Sequence, residues 1–418
     1  MAEANPGTTL GIVVGGGPAP GINGVISSAT IEAVNNGWRV LGLLEGFRWL
    51  AEGNVEHVEP LTIERVSRIH FDGGSILRTS RENPTKDPRR LSNVVEALGR
   101  RGVDCLLAIG GDDTAFTASR IAAEAGGRIR VATVPKTIDN DLPLPHNIST
   151  FGFQTARHFG AQAVARLMED ARTTSRWYFV VTMGRKSGAL ALGIGNAAGA
   201  TLTVIPEEFP EIPIPVERVA KILAGAVLKR RSMGRQDGVA VIAEGIAECF
   251  DPQEVLDLER AGRDEFGHVR LAEVDLGGRL RRAAGKVLER FRIPVSIVAL
   301  DLGYELRCAA PIPFDLEYTR SLGYGAVKYL LGGGSGALIA IVGGKMTPIP
   351  FEDLMDPRTG KVAVRRVDVT TESYEVARKY MIRIVRSDLE KPAHLALLAE
   401  AAGMTPERVR EEFGPVVA

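Results

Sequence analysis

Glycine and aspartate residues follow several apolar runs of the chain, at the points where β-strands would end. Glycines occupy 15–17 after the run 10–14, and Asp112 and Asp113 follow the run 103–109. Glycines at a strand end let backbone amides approach an anion, and the next helix adds its positive N-terminal end. This predicts a phosphate site, with a tight turn as the alternative, and matches neither the GxGxxG nor the Walker pattern.

Two pairs of carboxylates indicate a cation at the same rim. Asp112 and Asp113 follow one apolar run, and Asp139 and Asp141 follow the next. Two like charges roughly 4 Å apart cost about 4 kcal/mol at an effective dielectric constant of about 20. A hard, oxygen-ligated ion such as Mg²⁺, shared with phosphates, would relieve that repulsion. Turn formation and helix capping are the structural alternatives for single aspartates.

Two basic residues stand among these strand ends. Lys136 lies inside the aspartate-rich segment, and Arg185 follows Met183 and Gly184 after another apolar run. A guanidinium binds phosphate in a fork, and an ammonium acts as a mobile point charge. Lys136 could instead form a salt bridge, and either residue alone would usually lie on the surface.

The elements that must position these residues read as α/β. Short apolar runs that end in glycine or proline alternate with stretches of helical periodicity, which is typical of a mainly parallel sheet. The predicted strands are Leu10–Val14, Arg39–Leu44, Val103–Ile109, Ile129–Val134, Trp177–Thr182, Thr201–Ile205, Val239–Ala243, Val295–Leu300 and Ala337–Val342. These are too many for one sheet, so we expect two doubly wound, mainly parallel-sheet domains.

Composition excludes several classes of function. The 418 residues are 45% apolar and 24% charged, with 51 basic and 51 acidic side chains, which argues against disorder and nucleic-acid binding. Three scattered cysteines predict buried free thiols rather than disulfides or a zinc site. Since no N-terminal targeting segment and no apolar run of ~20 residues is present, we expect a cytoplasmic protein that does not bind membranes.

Several of these segments together resemble the phosphofructokinase family. The motifs are GGDDT at 110–114, PKTIDND at 135–141 and MGR at 183–185, with GGGPAPGIN at 15–23, AEG at 243–245 and LGYELR at 302–307 in the family's order. The resemblance covers about residues 8–350. It implies Mg²⁺-dependent phosphorylation of the 1-hydroxyl of fructose 6-phosphate, a step of glycolysis and gluconeogenesis, in the cleft between the two domains.

The phosphoryl donor follows from two residues within this resemblance. Asp113 and Lys136 are typical of the pyrophosphate-dependent branch, whereas ATP users carry glycine at both positions. An aspartate there would repel the α-phosphate of a nucleotide, and a lysine could neutralise the leaving phosphate. A readily reversible reaction is then expected. An ATP-dependent enzyme, sedoheptulose 7-phosphate as a further acceptor, and a catalytically silent regulatory subunit remain alternatives.

The resemblance assigns roles residue by residue. Asp139 matches the general base, Asp112 the Mg²⁺ contact, and Thr137 a position near the transferring phosphoryl group. The residues that match contacts to the donor are Gly16, Gly17, Arg81, Asp113 and Lys136, of which Arg81, Asp113 and Lys136 are also counted with Asp139 as catalytic. The residues that match the sugar-phosphate pocket, together with Thr137 and Asp139, are Arg176, Met183, Gly184, Arg185, Glu244, Tyr304 and Arg307.

Domain roles and assembly are also implied by the resemblance. Residues 1–150 plus about 306–360 would form the donor domain, and 151–305 plus about 361–418 the sugar-phosphate domain. Arg176 matches an arginine that reaches the 6-phosphate from a neighbouring subunit. We therefore expect a homodimer or homotetramer in which Arg176 acts across the interface.

Overall fold

The structure, a computed structural model, describes residues 7–255 and 262–417. The chain divides into two compact units. Unit 1 comprises Met1–Ala156, Arg263–His268 and Tyr304–Arg365, and unit 2 comprises Arg157–Gly262, Val269–Gly303 and Arg366–Ala418. Each unit is therefore built from separated pieces of the chain. In the described residues, no helix is both long and apolar enough to cross a bilayer.

The strands of the described residues form two sheets. In chain order they are β1 (Thr9–Val14), β2 (Arg39–Leu43), β3 (Val58–Leu61), β4 (Cys105–Gly110), β5 (Arg130–Thr137), β6 (Phe151–Gly152), β7 (Trp177–Thr182), β8 (Leu202–Val204), β9 (Gly238–Ala243), β10 (Ile297–Leu302), β11 (Ala337–Val342) and β12 (Lys345–Pro350). In unit 1 the order is β12-β11-β5-β4-β1-β2-β3, with β6 beside β5. In unit 2 it is β10-β7-β9-β8.

The α-helices lie mostly between these strands. In chain order they are α1 (Ile22–Asn35), α2 (Arg48–Ala51), α3 (Ile63–Val66), α4 (Pro88–Arg100), α5 (Asp112–Ala125), α6 (Phe153–Thr174), α7 (Ala189–Ala198), α8 (Val216–Ser232), α9 (Leu276–Arg290), α10 (Tyr304–Arg307), α11 (Pro313–Leu331), α12 (Phe351–Leu354), α13 (Glu372–Tyr380), α14 (Arg386–Glu390), α15 (Pro392–Ala402) and α16 (Pro406–Phe413).

The sheet of unit 1 is parallel at its centre, where β2, β1, β4, β5 and β11 run in the same direction. Among the described strands of this sheet, β3 and β12, at the two edges, pair in the antiparallel sense. Alternate residues of β1 pack into two different hydrophobic cores. Leu10, Ile12 and Val14 pack with α1 and α11, and Val13 packs with α4 and α5. Helices therefore cover both faces, as the predicted doubly wound α/β class requires.

The sheet of unit 2 is parallel throughout. Trp177, Phe179 and Val181 project from one face of β7 into a core formed with α8, α9, α15 and α16. Burial of these large side chains stabilises the strand, since each fully buried apolar side chain contributes roughly 1.5–3 kcal/mol. The mixed α/β fold predicted from the sequence is confirmed.

The cysteines differ from one another in exposure. Cys105 and Cys249 are buried free thiols, as predicted, and burial raises the pKa of each to about 11. The prediction is wrong for Cys308, which is exposed because it follows the short helix α10 at the surface of unit 1.

Candidate active site

The glycines after β1 are held by neighbouring strand ends. The amide of Gly15 donates to the carbonyl of Ile109 at 3.0 Å, and the amide of Gly16 donates to the carbonyl of Ser80 at 2.9 Å. Gly16 has φ of +78°, a conformation that favours glycine. A Cβ on Gly15 would lie 2.5 Å from the hydroxyl of Thr114. The turn therefore depends on glycine for both conformation and space.

Lys136 lies against this turn. It ends up buried, with 3% of its surface exposed, and its Nζ donates to the carbonyl of Gly17. A Cβ on Gly16 would be 3.3 Å from that nitrogen, and a Cβ on Gly17 would be 3.4 Å from Cζ of Arg307. The backbone turn, the ammonium group and the guanidinium group predicted to contact phosphates thus lie together in unit 1.

Burial and neighbouring positive charges make Lys136 easier to deprotonate than an exposed lysine. Burial, together with the positive charges of Arg307 and Arg81, lowers its pKa to about 7, and the carboxylates of Asp139 and Asp112 act in the opposite direction. Three basic side chains lie close to one another here, an arrangement suited to the charge of a bound polyanion. Such a ligand would also restore the charge of Lys136.

The loop after β5 presents Asp139. The amide of Asp139 donates to the hydroxyl of Thr137 at 3.0 Å, and the next residue, Asn140, has φ of +56°. Arg365 holds this loop: its Nε donates to the carbonyl of Asn140 at 3.0 Å, its Nη1 to the carbonyl of Ile148 at 2.8 Å, and its Nη2 to the side-chain oxygen of Asn140. Sequence analysis missed Arg365, which is distant in the chain and lies in no motif.

Asp112 and Asp113 form the first turn of α5, whose N-terminus favours negative charge. Because Gly110 of β4 is paired with Pro135 of β5, this turn and the Lys136 segment follow adjacent parallel strands. Nδ1 of His268 lies 3.7 Å from Oδ2 of Asp113. His268 was also missed by sequence analysis.

The expected cluster of four carboxylates does not form as a metal site. Within residues 7–255 and 262–417, no group of three or more His, Cys, Asp or Glu side chains is placed to hold an ion. One member of the expected cluster is accounted for otherwise, since Asp141 is buried and lies beside Arg365. Asp112 and Asp139, near Lys136, still supply the carboxylate oxygens that Mg²⁺ prefers. The residues therefore fit an ion that takes its other ligands from phosphates and water.

Arg81 belongs to the same unit and has a carboxylate partner. Its Nη1 lies 3.1 Å from Oδ2 of Asp264. Arg307, in α10, packs over Tyr304, with Cζ 5.2 Å from the ring centre. Tyr304 is 66% exposed, so its ring is accessible to a ligand. Unit 1 thus contains the predicted donor contacts and four of the predicted sugar-phosphate contacts, namely Thr137, Asp139, Tyr304 and Arg307.

Unit 2 contains the other sugar-phosphate candidates. Thr182 of β7 pairs with Ala243 of β9, so Met183–Arg185 and Glu244 follow neighbouring strand ends. Oε1 of Glu244 accepts from the amide of Gly184 at 3.2 Å and from the amide of Arg185 at 3.0 Å. The side chain of Met183 is buried. The structure brings together Met183, Gly184, Arg185 and Glu244, as the sequence predicts.

Arg176 does not join that group within the chain. It precedes β7, whereas Arg185 follows it. The six residues of β7 span roughly 20 Å, at about 3.3 Å per residue. Arg176 and Arg185 of one chain therefore lie at opposite ends of β7, farther apart than a single arginine side chain reaches.

Comparison with known proteins identifies the family to which the chain is similar. Residues 9–330 match the sequence model of a family described as Phosphofructokinase. The chain is 54% identical over 409 residues to the pyrophosphate–fructose 6-phosphate 1-phosphotransferase of Thermotoga maritima, covering 97% of each protein. It is 50% identical over 414 residues to the protein of that name from Naegleria fowleri, covering 97% of this chain and 95% of the relative.

A solved structure shares the fold at low sequence identity. The crystal structure described as a pyrophosphate-dependent phosphofructokinase from Marinobacter aquaeolei superposes with a TM-score of 0.67 at 17% identity. The match covers 98% of this chain and 92% of the other.

Proposed function

Since the chain belongs to the phosphofructokinase family, we propose that it transfers a phosphoryl group from pyrophosphate to the 1-hydroxyl of fructose 6-phosphate. The products are fructose 1,6-bisphosphate and phosphate. The observation that carries this proposal is the pair Asp113 and Lys136 at the ends of β4 and β5. The names of the relatives from Thermotoga maritima and Naegleria fowleri support the same donor.

The donor would bind in unit 1. Buried Lys136, beside the backbone of Gly16 and Gly17, is suited to neutralise a phosphate group, and Arg81 supplies a guanidinium fork. Asp113 would disfavour a nucleotide, because its carboxylate would face the α-phosphate that pyrophosphate lacks. The proposed roles of these residues all rest on charge and position, the two terms that dominate phosphoryl transfer.

The acceptor hydroxyl needs a base, and Asp139 is our candidate. Its carboxylate would accept the proton as the 1-oxygen bonds to phosphorus and the P–O bond to the leaving phosphate breaks. Thr137 fixes the backbone of Asp139 through the 3.0 Å hydrogen bond to its amide. Asp112 would contribute a ligand to Mg²⁺, which would neutralise charge on the phosphates when bound. Because the energy of pyrophosphate hydrolysis is not far from that of the phosphate ester bond formed, we expect the reaction to run in both directions.

The sugar phosphate would be recognised by cations and by the strand-end turn of unit 2. Arg185 and Arg307 are candidate anion contacts, and Glu244 fixes the turn that carries Arg185. Arg176 lies at the far end of β7, so it could meet the same 6-phosphate only from a second copy of the chain. We therefore propose an active homodimer or homotetramer, which ultracentrifugation and an Arg176→Ala variant would test.

The decisive experiment supplies one acceptor with two donors. Purified protein, fructose 6-phosphate and Mg²⁺ are incubated with pyrophosphate or with ATP, and fructose 1,6-bisphosphate is measured. Turnover with pyrophosphate supports the proposal, and turnover with ATP alone overturns the donor assignment. Formation of fructose 6-phosphate from the bisphosphate and phosphate tests reversibility. Sedoheptulose 7-phosphate, added as a competitor, ranks the two acceptors.

A further inference from the structure

A short segment of unit 1, residues 263–268, builds a rigid carboxylate. The amide of Asp264 donates to the carbonyl of His268 at 2.9 Å, and Oδ1 of Asp264 accepts from the amides of Phe266 and His268 at 3.0 Å each. The side chain of Asp264 is only 4% exposed. The backbone of this turn, which we call the 263–268 turn, therefore fixes Oδ1 of Asp264. Its other carboxylate oxygen, Oδ2, is directed at Arg81.

Oδ2 of Asp264 contacts a residue of the proposed donor site. Oδ2 of Asp264 lies 3.1 Å from Nη1 of Arg81, and Nδ1 of His268 lies 3.4 Å from Asp264 and 3.7 Å from Asp113. A second ion pair joins Oε2 of Glu265, in the same turn, to Nζ of the exposed Lys86 at 2.6 Å. The turn thus contacts two of the residues that we assign to the donor, one basic and one acidic.

The geometry indicates that Asp264 positions Arg81 rather than competing with a phosphate for it. A guanidinium has five N–H donors in a planar fork, and the contact with Asp264 is made by Nη1 of Arg81. The rest of the fork can still bind a phosphate. The side chain of Arg81 is 38% exposed and long, so without a partner it would lose considerable rotamer freedom on binding. A carboxylate held by two amides can remove that cost in advance.

We propose that Asp264 is a positioning residue that orients Arg81 for the donor phosphates, with the 263–268 turn linking Arg81 to Asp113. The inference rests on the proposed function only for the chemical identity of the donor. The role requires a buried carboxylate at a fixed place, which the turn supplies.

The test compares two isosteric substitutions in one turn. Asp264→Asn keeps the oxygen that accepts from the two amides and removes the charge that pairs with Arg81. Glu265→Gln removes the exposed ion pair of the same turn and serves as the control. Binding of imidodiphosphate, a non-hydrolysable donor analogue, is measured by calorimetry, and the KM for each substrate is measured beside kcat. Thermal melting checks the fold, and Asp264→Ser, whose hydroxyl can also accept from the turn, serves as the second variant.

We expect Asp264→Asn to weaken analogue binding and raise the donor KM roughly three- to tenfold, the effect of freeing one long side chain, with the sugar-phosphate KM unchanged. Glu265→Gln should match the wild-type protein. In an Arg81→Met background, Asp264→Asn should have no further effect, because Asp264 acts through Arg81. Tighter binding would make Asp264 a competitor, and unchanged binding or an equal loss in both backgrounds would likewise overturn the proposal.

Failure of the proposed function gives a different result. If the wild-type protein uses ATP instead, the same variants are compared with a non-hydrolysable ATP analogue, since Arg81 would meet phosphates in either case. A wild-type protein that binds neither donor analogue would overturn both the proposed function and the positioning role.

Discussion

Raising the pH from 6 to 8 should reduce the use of pyrophosphate by removing the charge of Lys136. Burial and two neighbouring arginines lower the pKa of Lys136 to about 7. With that pKa, about nine-tenths of the lysine is protonated at pH 6 and about one-tenth at pH 8. Because kcat/KM reports the ionisation of the free enzyme, it should fall about tenfold from this group alone.

The assay is kcat/KM for pyrophosphate across this range in the wild-type protein and in Lys136→Arg. Arginine stays protonated throughout, so the variant should lose this component of the profile. Ionisation of pyrophosphate itself is common to both proteins and cancels in their ratio. Lys136→Met should be slow at every pH. Parallel wild-type and Lys136→Arg profiles would refute the charge role of Lys136.

The same shift predicts a pH-dependent stability. The ordinary pKa of lysine is 10.5, so between pH 7 and 10.5 the unfolded chain binds a proton that the folded chain does not, and stability rises with pH. The cost of burying the charge, about 5 kcal/mol from the shift, is fully present below pH 7. Lys136→Met should therefore be more stable than the wild-type protein at pH 6. The gain should be less than this amount, because the variant loses the hydrogen bond from Nζ to the carbonyl of Gly17. Urea unfolding at pH 6 and 9 tests this, and an equal difference at both would contradict it.

Three further substitutions test separate parts of the site. Asp113→Gly should raise kcat/KM for ATP relative to pyrophosphate, since it removes the carboxylate that would face an α-phosphate; an unchanged ratio would argue against donor exclusion. Asp139→Asn should lower kcat by about 10²- to 10⁴-fold while calorimetry still detects imidodiphosphate binding, because an amide cannot take the proton; near-normal turnover would exclude Asp139 as the base. Arg365→Met should lower the free energy of unfolding by about 2–4 kcal/mol, because it leaves carbonyls of Asn140 and Ile148 without their donor; urea unfolding measures this, and no loss would make the contacts dispensable.

Most of the strands that sequence analysis predicts are buried, whereas the predicted strand Val295–Leu300 is observed as Ile297–Leu302 and is largely half-exposed or exposed. Trp177–Thr182 and Ala337–Val342 are observed with the predicted bounds, and Leu10–Val14 is extended by one residue. Central parallel strands are covered on both faces, so they read as continuous apolar runs. The edge strand Lys345–Pro350 is half exposed and contains two prolines. It has no such run, and therefore no signal from which it could be predicted.

The site shows a similar division. Residues that lie within one strand-end motif, such as Asp113 and Lys136, can be found because the motif is contiguous in the chain. Arg365 and Asp264 contact the site from 225 and 183 residues away from their partners Asn140 and Arg81. No periodicity or spacing links such positions, since only the folded topology decides which distant segments meet.

The glycines of the site are needed to leave space for neighbouring side chains as well as to give an anion access to the backbone. A Cβ on Gly15 would come within 2.5 Å of Thr114, and one on Gly110 within 2.1 Å of the same side chain. A Cβ on Gly16 would approach Nζ of Lys136 to 3.3 Å. The missing side chains therefore leave room for the first turn of α5 and for the ammonium group as well as for a ligand. Thr114 directly follows Asp113 in the first turn of α5. The absence of side chains at Gly15 and Gly110 therefore also allows the position of Asp113, the carboxylate that we propose selects the donor.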